Sequence, residues 1–202
     1  MYHRVMTGDE MRPTALPKLT DEDFLSFPDD GRRHELIGGD HCVTPSPSVS
    51  HQRASRNLLT ALHQHCRESG HAEVFEAPLD VLLSMHDVVE PDLFVVLSEQ
   101  QEILSENNVR GAPAIVIEIL SPGTRARDET LKRDLYARAG VREYWMVDPD
   151  ARAIRVCRWP AAGQPGPVTD LAAAAGDALT SPLLPGFALE VAGLFAESAR
   201  RG

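Results

Sequence analysis

Two short apolar runs each carry a carboxylate that hydrophobic strands rarely tolerate. One is Val88-Val89-Glu90-Pro91-Asp92-Leu93-Phe94-Val95-Val96-Leu97, the other Ala114-Ile115-Val116-Ile117-Glu118-Ile119-Leu120-Ser121. β-Branched residues dominate both, and Pro, Gly or Ser bound them, which predicts strands of a buried sheet. An ionised carboxylate inside such a strand is costly unless a cation or hydrogen bonds compensate it. Asp92 and Glu118 on neighbouring strands would converge. Two converging acids point to a divalent ion with oxygen ligands, the carbonyl of Ile119 being a further donor. Metal-dependent chemistry is therefore expected. Hydrolysis at such a centre also needs a cation or proton shuttle near the attacking water. Lys132 is the leading candidate, and Asp128, Lys132 and Tyr136 share one helix face at i, i+4 spacing.

The surrounding elements follow from local signals. Thr20 with Asp23 reads as a capping box for a short helix ending near Phe27, before Pro28. Arg33 to Ile37, Gly38-Gly39-Asp40 and His41 to Thr44 read as a β-hairpin with a glycine turn. Pro45-Ser46-Pro47-Ser48 forms a rigid loop. From Ser50 to about Glu68, Leu58, Leu59, Leu62 and Cys66 recur at helical spacing, and Gly70 supplies the stop. Three strands are expected next, roughly Val74 to Leu83, Asp92 to Leu97 and Ala114 to Leu120. A second helix runs from about Asp128 to Ala139, closed by Gly140. Strands Glu143 to Val147 and Ala153 to Arg158 flank the turn Asp148-Pro149-Asp150. Residues 160–180 give no assignment, and Leu183 to Val191 reads as a final extended element before a short helix. No internal repeat is visible. The order helix, three strands, helix, strand implies an α/β (α+β) core with a central mixed sheet.

The whole chain sets outer bounds. Its 202 residues suffice for one domain with a sizeable core, expected over 19–197 after a disordered leader at 1–18. Met6 and Met11 offer alternative starts. With 43% hydrophobic and 25% charged residues the composition is globular. No apolar run approaches the roughly 18 residues of a membrane span, and no signal-like core opens the chain. Cys42, Cys66 and Cys157 are scattered and odd in number, which argues against a disulfide framework and fits a reducing cytoplasm. The formal net charge of -10 weighs modestly against non-specific nucleic-acid binding. His63, His65 and Cys66 lack a second ligand pair at zinc spacing, so a surface helix accounts for them. Arg125, Arg127, Lys132, Arg133, Arg138 and Arg142 form the one basic stretch. It is either a solvated helix face or a phosphate-contacting surface.

At these residues the chain resembles the PD-(D/E)XK nuclease core, and more closely the Uma-two family of restriction-endonuclease-like proteins. The matching stretches are Arg33-His34-Glu35-Leu36-Ile37-Gly38-Gly39, the Pro45-Ser46-Pro47 loop with His51, Pro91-Asp92, and Glu118-Ile119-Leu120-Ser121-Pro122. They continue through Asp128 to Lys132, Tyr136, Gly140 to Pro149, and Ser181 to Phe187. Each piece is weak, but their order and spacing are specific from about Thr20 to Phe195.

The resemblance implies a restriction-endonuclease-like fold and a Mg²⁺- or Mn²⁺-dependent endonuclease hydrolysing DNA, with a homodimer as a further possibility. Asp92 and Glu118 would bind the metal with Glu35 assisting, Lys132 would serve catalysis, and His51, Asp128 and Tyr136 would support the site. Leu120 stands where the wider superfamily places its lysine, so Lys132 would deliver an ammonium from the next helix on its long stem. Gly38 replaces the Asp usual in the hairpin of the Uma-type pattern. The alternatives are an inactive binding or assembly module on the same fold, or a metal-dependent hydrolase of another phosphoester. Tyr144 and Trp145 alternate along a strand, which predicts one in the core and one facing out.

Overall fold

The computed structural model describes residues 17–28 and 30–197, so the expected leader lies almost wholly outside the described residues. Helix α1 (Asp21–Leu25) starts at the anticipated capping box, in which Thr20 and Asp23 cap each other. Strands β1 (Arg33–Ile37) and β2 (Asp40–Thr44) form the hairpin. Gly38 and Gly39 take φ values of +58° and +75°, and this pair of left-handed residues suits a tight two-residue turn. Helix α2 (Val49–Ser69) is capped by the Ser48 hydroxyl and stopped by left-handed Gly70. Its buried residues His51, Ala54, Leu58, Leu62 and Cys66 lie on one stripe.

The expected strand across residues 74–83 is two strands in different sheets. β3 (Ala72–Glu76) and β4 (Val81–Ser84) are separated by the segment around Pro78, where a donor is missing and the chain changes direction. The start of the apolar run over 88–97 forms a separate three-residue strand, β5 (Asp87–Val89), outside the expected strand Asp92 to Leu97. It is followed by β6 (Leu93–Leu97), β7 (Val109–Arg110) and β8 (Ile115–Ile119). Next come α3 (Arg125–Arg127), a π-helical turn over Asp128–Lys132, and α4 (Arg133–Ala139). β9 (Glu143–Asp148) and β10 (Ala153–Arg158) follow. The stretch without a sequence signal contributes β11 (Val168–Ala172) and β12 (Ala178–Thr180), before β13 (Ala188–Glu190) and α5 (Val191–Leu194).

The fold is mixed α/β. A six-stranded sheet runs β11-β10-β9-β8-β6-β3, and a five-stranded sheet runs β2-β1-β5-β4-β7. β8 and β9 are parallel and joined through the α3–α4 helical segment, while β6 pairs antiparallel with β8. One face of the six-stranded sheet packs Val95, Ile115, Ile117 and Trp145 on Ala54, Leu58 and Leu62 of α2. The opposite face packs Phe94, Val116 and Tyr144 on Leu135 and Tyr136 of α4 and on Val81 and Val89 of the smaller sheet. The central sheet therefore has a core on both sides. Tyr144 and Trp145 are consequently both fully buried, correcting the expectation that one faces out.

Candidate active site

Strand parity brings the acids together. Asp92 immediately precedes β6, and Glu118 lies on β8, one step beyond the registered pair Leu93–Ile117. Asp92 shares the face of Phe94 and Glu118 that of Val116, so both carboxylates point toward α4 and the smaller sheet. That sheet supplies Glu35 and Arg33, two residues apart on β1 and therefore on one face. The helical segment after β8 supplies Asp128, Lys132 and Tyr136. All seven anticipated residues, Glu35, Asp92, Glu118, Lys132, His51, Asp128 and Tyr136, are buried in this one region.

Lys132 is the hub. Its Nζ lies 2.6 Å from Glu35 Oε1, 2.7 Å from Glu118 Oε1 and 4.0 Å from Asp128 Oδ1. The Tyr136 hydroxyl donates to the same Glu118 oxygen at 2.8 Å. The π turn puts Asp128 and Lys132 on the buried side of the helix. The Tyr144 hydroxyl donates to the Asp128 carbonyl at 3.1 Å, a partner for a group in the irregular register. Asp92 is held separately. Arg33 Nη1 donates to Oδ1 at 2.8 Å, the Ile119 amide donates to Oδ2 at 2.8 Å, and His51 Nε2 lies 3.1 Å from Oδ2.

Sequence reasoning misses Arg33, Glu90 and Arg127 as members of the site. Arg33 donates to the Glu90 carbonyl, and its Nε sits 2.6 Å from Glu90 Oε1, though out of line for a hydrogen bond. Arg127 lies 3.4 Å from Glu35 Oε2 and donates to Thr44. The spacing of Arg33 and Glu35 on a predicted strand is the one available signal. A further buried acid, Glu143, accepts from Trp145, Arg158 and Ser181 and is structural.

Burial raises the carboxyl pKa of Glu118, and Asp92, Asp128 and Glu35 add to the rise against the pull of Lys132. Burial also lifts that of Asp128. At Asp92 burial pushes upward, but His51, Arg33 and the Ile119 amide outweigh it and hold the group below the usual range. For Glu35, Lys132 outweighs burial in the same way. Lys132 is held above its ordinary value, because its three carboxylates outweigh the cost of burial.

Four observations bear on whether a cation fits. The five buried acids Glu35, Glu90, Asp92, Glu118 and Asp128 face only three cations, Arg33, Arg127 and Lys132. Asp128 Oδ1 is buried without a hydrogen-bond partner. The donors are hard oxygens of the kind Mg²⁺ and Mn²⁺ take. Among the described residues no three His, Cys, Asp or Glu side chains stand close enough together to hold an ion as they are. The residues fit a hard divalent ion in chemistry and charge, with Lys132 and Arg33 currently engaging the oxygens.

The recess enclosed by Asp92, Glu118, Asp128, Lys132 and the Pro45–Pro47 loop has a volume of about 20 Å³, room for one water-sized occupant. It shares Arg33, Pro47, His51 and Asp92 with a wider groove of about 390 Å³.

A mixed sheet with a helix crossover, carrying buried acids from adjacent strands and a lysine from the next helix, is the arrangement that the resemblance to restriction-endonuclease-like proteins implies. The chain belongs to the Uma2 family, described as "Putative restriction endonuclease", whose model matches residues 21–192. It is 28% identical over 128 residues to the uncharacterized protein slr1290 of Synechocystis, a match covering 62% of this chain and 66% of that protein, just under two thirds of its length. A solved structure described as "a putative nuclease belonging to DUF820", from Anabaena variabilis, shares the fold. Its TM-score is 0.70 at 22% identity, covering 88% of this chain and 97% of that one. Among the described residues no helix is long and apolar enough to cross a membrane.

Proposed function

We propose that this chain is a Mg²⁺-dependent endonuclease that hydrolyses DNA phosphodiester bonds at the Glu35–Asp92–Glu118–Lys132 site, carried by a single domain over residues 19–197. The observation that carries this reading is the convergence of Glu35 and Glu118 on one buried ammonium, with Asp92 held alongside. Asp92 and Glu118 would hold the ion, with Glu35 assisting. A bound divalent ion supplies Lewis acidity and lowers the pKa of a ligated water. Arg33, His51 and the Ile119 amide fix the Asp92 carboxylate, and Tyr136 fixes that of Glu118. Lys132 Nζ donates either to the attacking water or to a phosphoryl oxygen as negative charge develops there. The test is incubation of the purified chain with DNA and Mg²⁺ or Mn²⁺. Cleavage that chelation abolishes is expected, and no cleavage under either ion overturns the reading.

The competing reading is a binding module that keeps the fold without chemistry. The neutralisation of Glu35 and Glu118 by Lys132 is the observation in its favour. Calorimetric titration with Mn²⁺ separates the two, since a scaffold has no need of an ion site.

A further inference from the structure

We infer that the DNA reaches this site as an unpaired strand rather than as an intact duplex. The inference rests on the proposed nuclease reading and adds the substrate class to it. Glu118, Asp128 and Lys132, which line a recess of about 20 Å³, are each at most 3% exposed, and Glu35 beside Lys132 is fully buried. A duplex is a stiff rod with its phosphates on the outside. Bringing one phosphate below a protein surface requires bending or unpairing it, a cost that a single strand does not carry.

The groove beside the recess has matching dimensions. Its 390 Å³ lies in the range that receives one compact ligand unit, such as a single nucleotide. Arg32, Arg33, His51, Gln52 and Ser55 line it together with the acids Glu76, Glu90 and Asp92. His51 is 8% exposed, and its Nδ1 is buried without a hydrogen-bond partner while Nε2 faces Asp92.

The surface offers little to a duplex backbone. Within the basic stretch Arg125 is paired with Asp148, Arg127 with Glu35, Arg133 with Asp134 and Arg142 with Glu99, while Lys132 is buried, which leaves the exposed Arg138 as its one cation outside an ion pair among the described residues. These contacts favour the solvated-face reading over a track of cations following two strands of phosphates.

The test compares three substrates with the full chain and Mn²⁺: a single-stranded DNA oligonucleotide, its blunt duplex, and the duplex with a single-stranded overhang. The single strand and the overhang are expected to be cut at least about tenfold faster than the blunt duplex, with cuts confined to unpaired residues. Equal or faster cutting of the blunt duplex overturns this inference and leaves the nuclease reading standing. No cutting of any substrate overturns the nuclease reading, and this inference with it. Ser55→Trp, which narrows the groove from the α2 side, should slow single-strand cleavage while the thermal midpoint holds. Unchanged cleavage by that variant counts against the groove as the path of the strand.

Discussion

The Tyr144 hydroxyl donates to the backbone carbonyl of Asp128, tying β9 to the π turn that carries both Asp128 and Lys132. Both partners are buried, so water cannot replace the phenol. Tyr144→Phe should cost about 1–3 kcal/mol, the penalty for stranding a buried acceptor. Denaturant unfolding checks the cost. DNA cleavage should fall as well, because the turn that aims Lys132 loses its anchor. A variant as stable and as active as the unaltered chain would show that the π turn stands without this bond.

Lys132→Met removes the only cation in contact with both Glu35 and Glu118 among the described residues. Truncating one partner of a buried ion cluster typically costs about 3–5 kcal/mol. The same variant should regain more stability from added Mn²⁺ than the unaltered chain does, since an ion that binds the folded state stabilises it by mass action. Melting curves with and without Mn²⁺ read both effects. Equal responses would mean that the ion and the ammonium do not act on the same carboxylates.

Much of this site is legible in the amino-acid sequence. The acids Asp92 and Glu118 stand out because apolar strands leave a carboxylate no neutral explanation. Lys132 and Tyr136 follow from helical spacing. Arg33 and Arg127 do not stand out, because an arginine on a strand or at an exposed-looking helix start is usually solvated. Only the packing of the smaller sheet on the larger turns them inward. That packing depends on the chain changing sheets between Glu76 and Val81, a long-range event with no local signature beyond Pro78. The burial of Tyr144 escapes sequence reasoning for the same reason, as alternation assumes one wet face and the central sheet has none.

Acid should weaken one tie outside the cluster. Arg125 donates to Asp148 at 2.7 Å, and the amides of Asp150 and Ala151 donate to the same carboxylate. The Arg125 hydrogen bond, set against partial burial, leads in holding the pKa of Asp148 below its ordinary value. A depressed carboxyl pKa contributes stability that is full above the unfolded-state value and lost as pH falls through the folded-state value. Asp148→Asn should therefore be less stable than the unaltered chain at neutral pH, with the gap closing in acid. A gap independent of pH would remove Asp148 from the acid response.

The hairpin glycines should respond differently to substitution. A Cβ at Gly39 would lie 2.6 Å from Lys18 Cβ and 3.0 Å from the Leu19 carbonyl, at a φ of +75°. Gly39→Ala is expected to cost more than about 1 kcal/mol. Gly38 has nothing within 4 Å of the same position, and Asn accepts its φ of +58°, so Gly38→Asn should be close to neutral. Thermal midpoints of the two variants check the contrast, and equal losses would contradict it.

Glu118 is the carboxylate on which the proposed chemistry most directly depends. The decisive measurement is the rate of Mg²⁺-dependent DNA cleavage by Glu118→Ala beside the unaltered chain, with circular dichroism verifying the fold. Loss of cleavage in a folded variant is the predicted result. Undiminished cleavage would contradict the assignment of this carboxylate and of the site built around it.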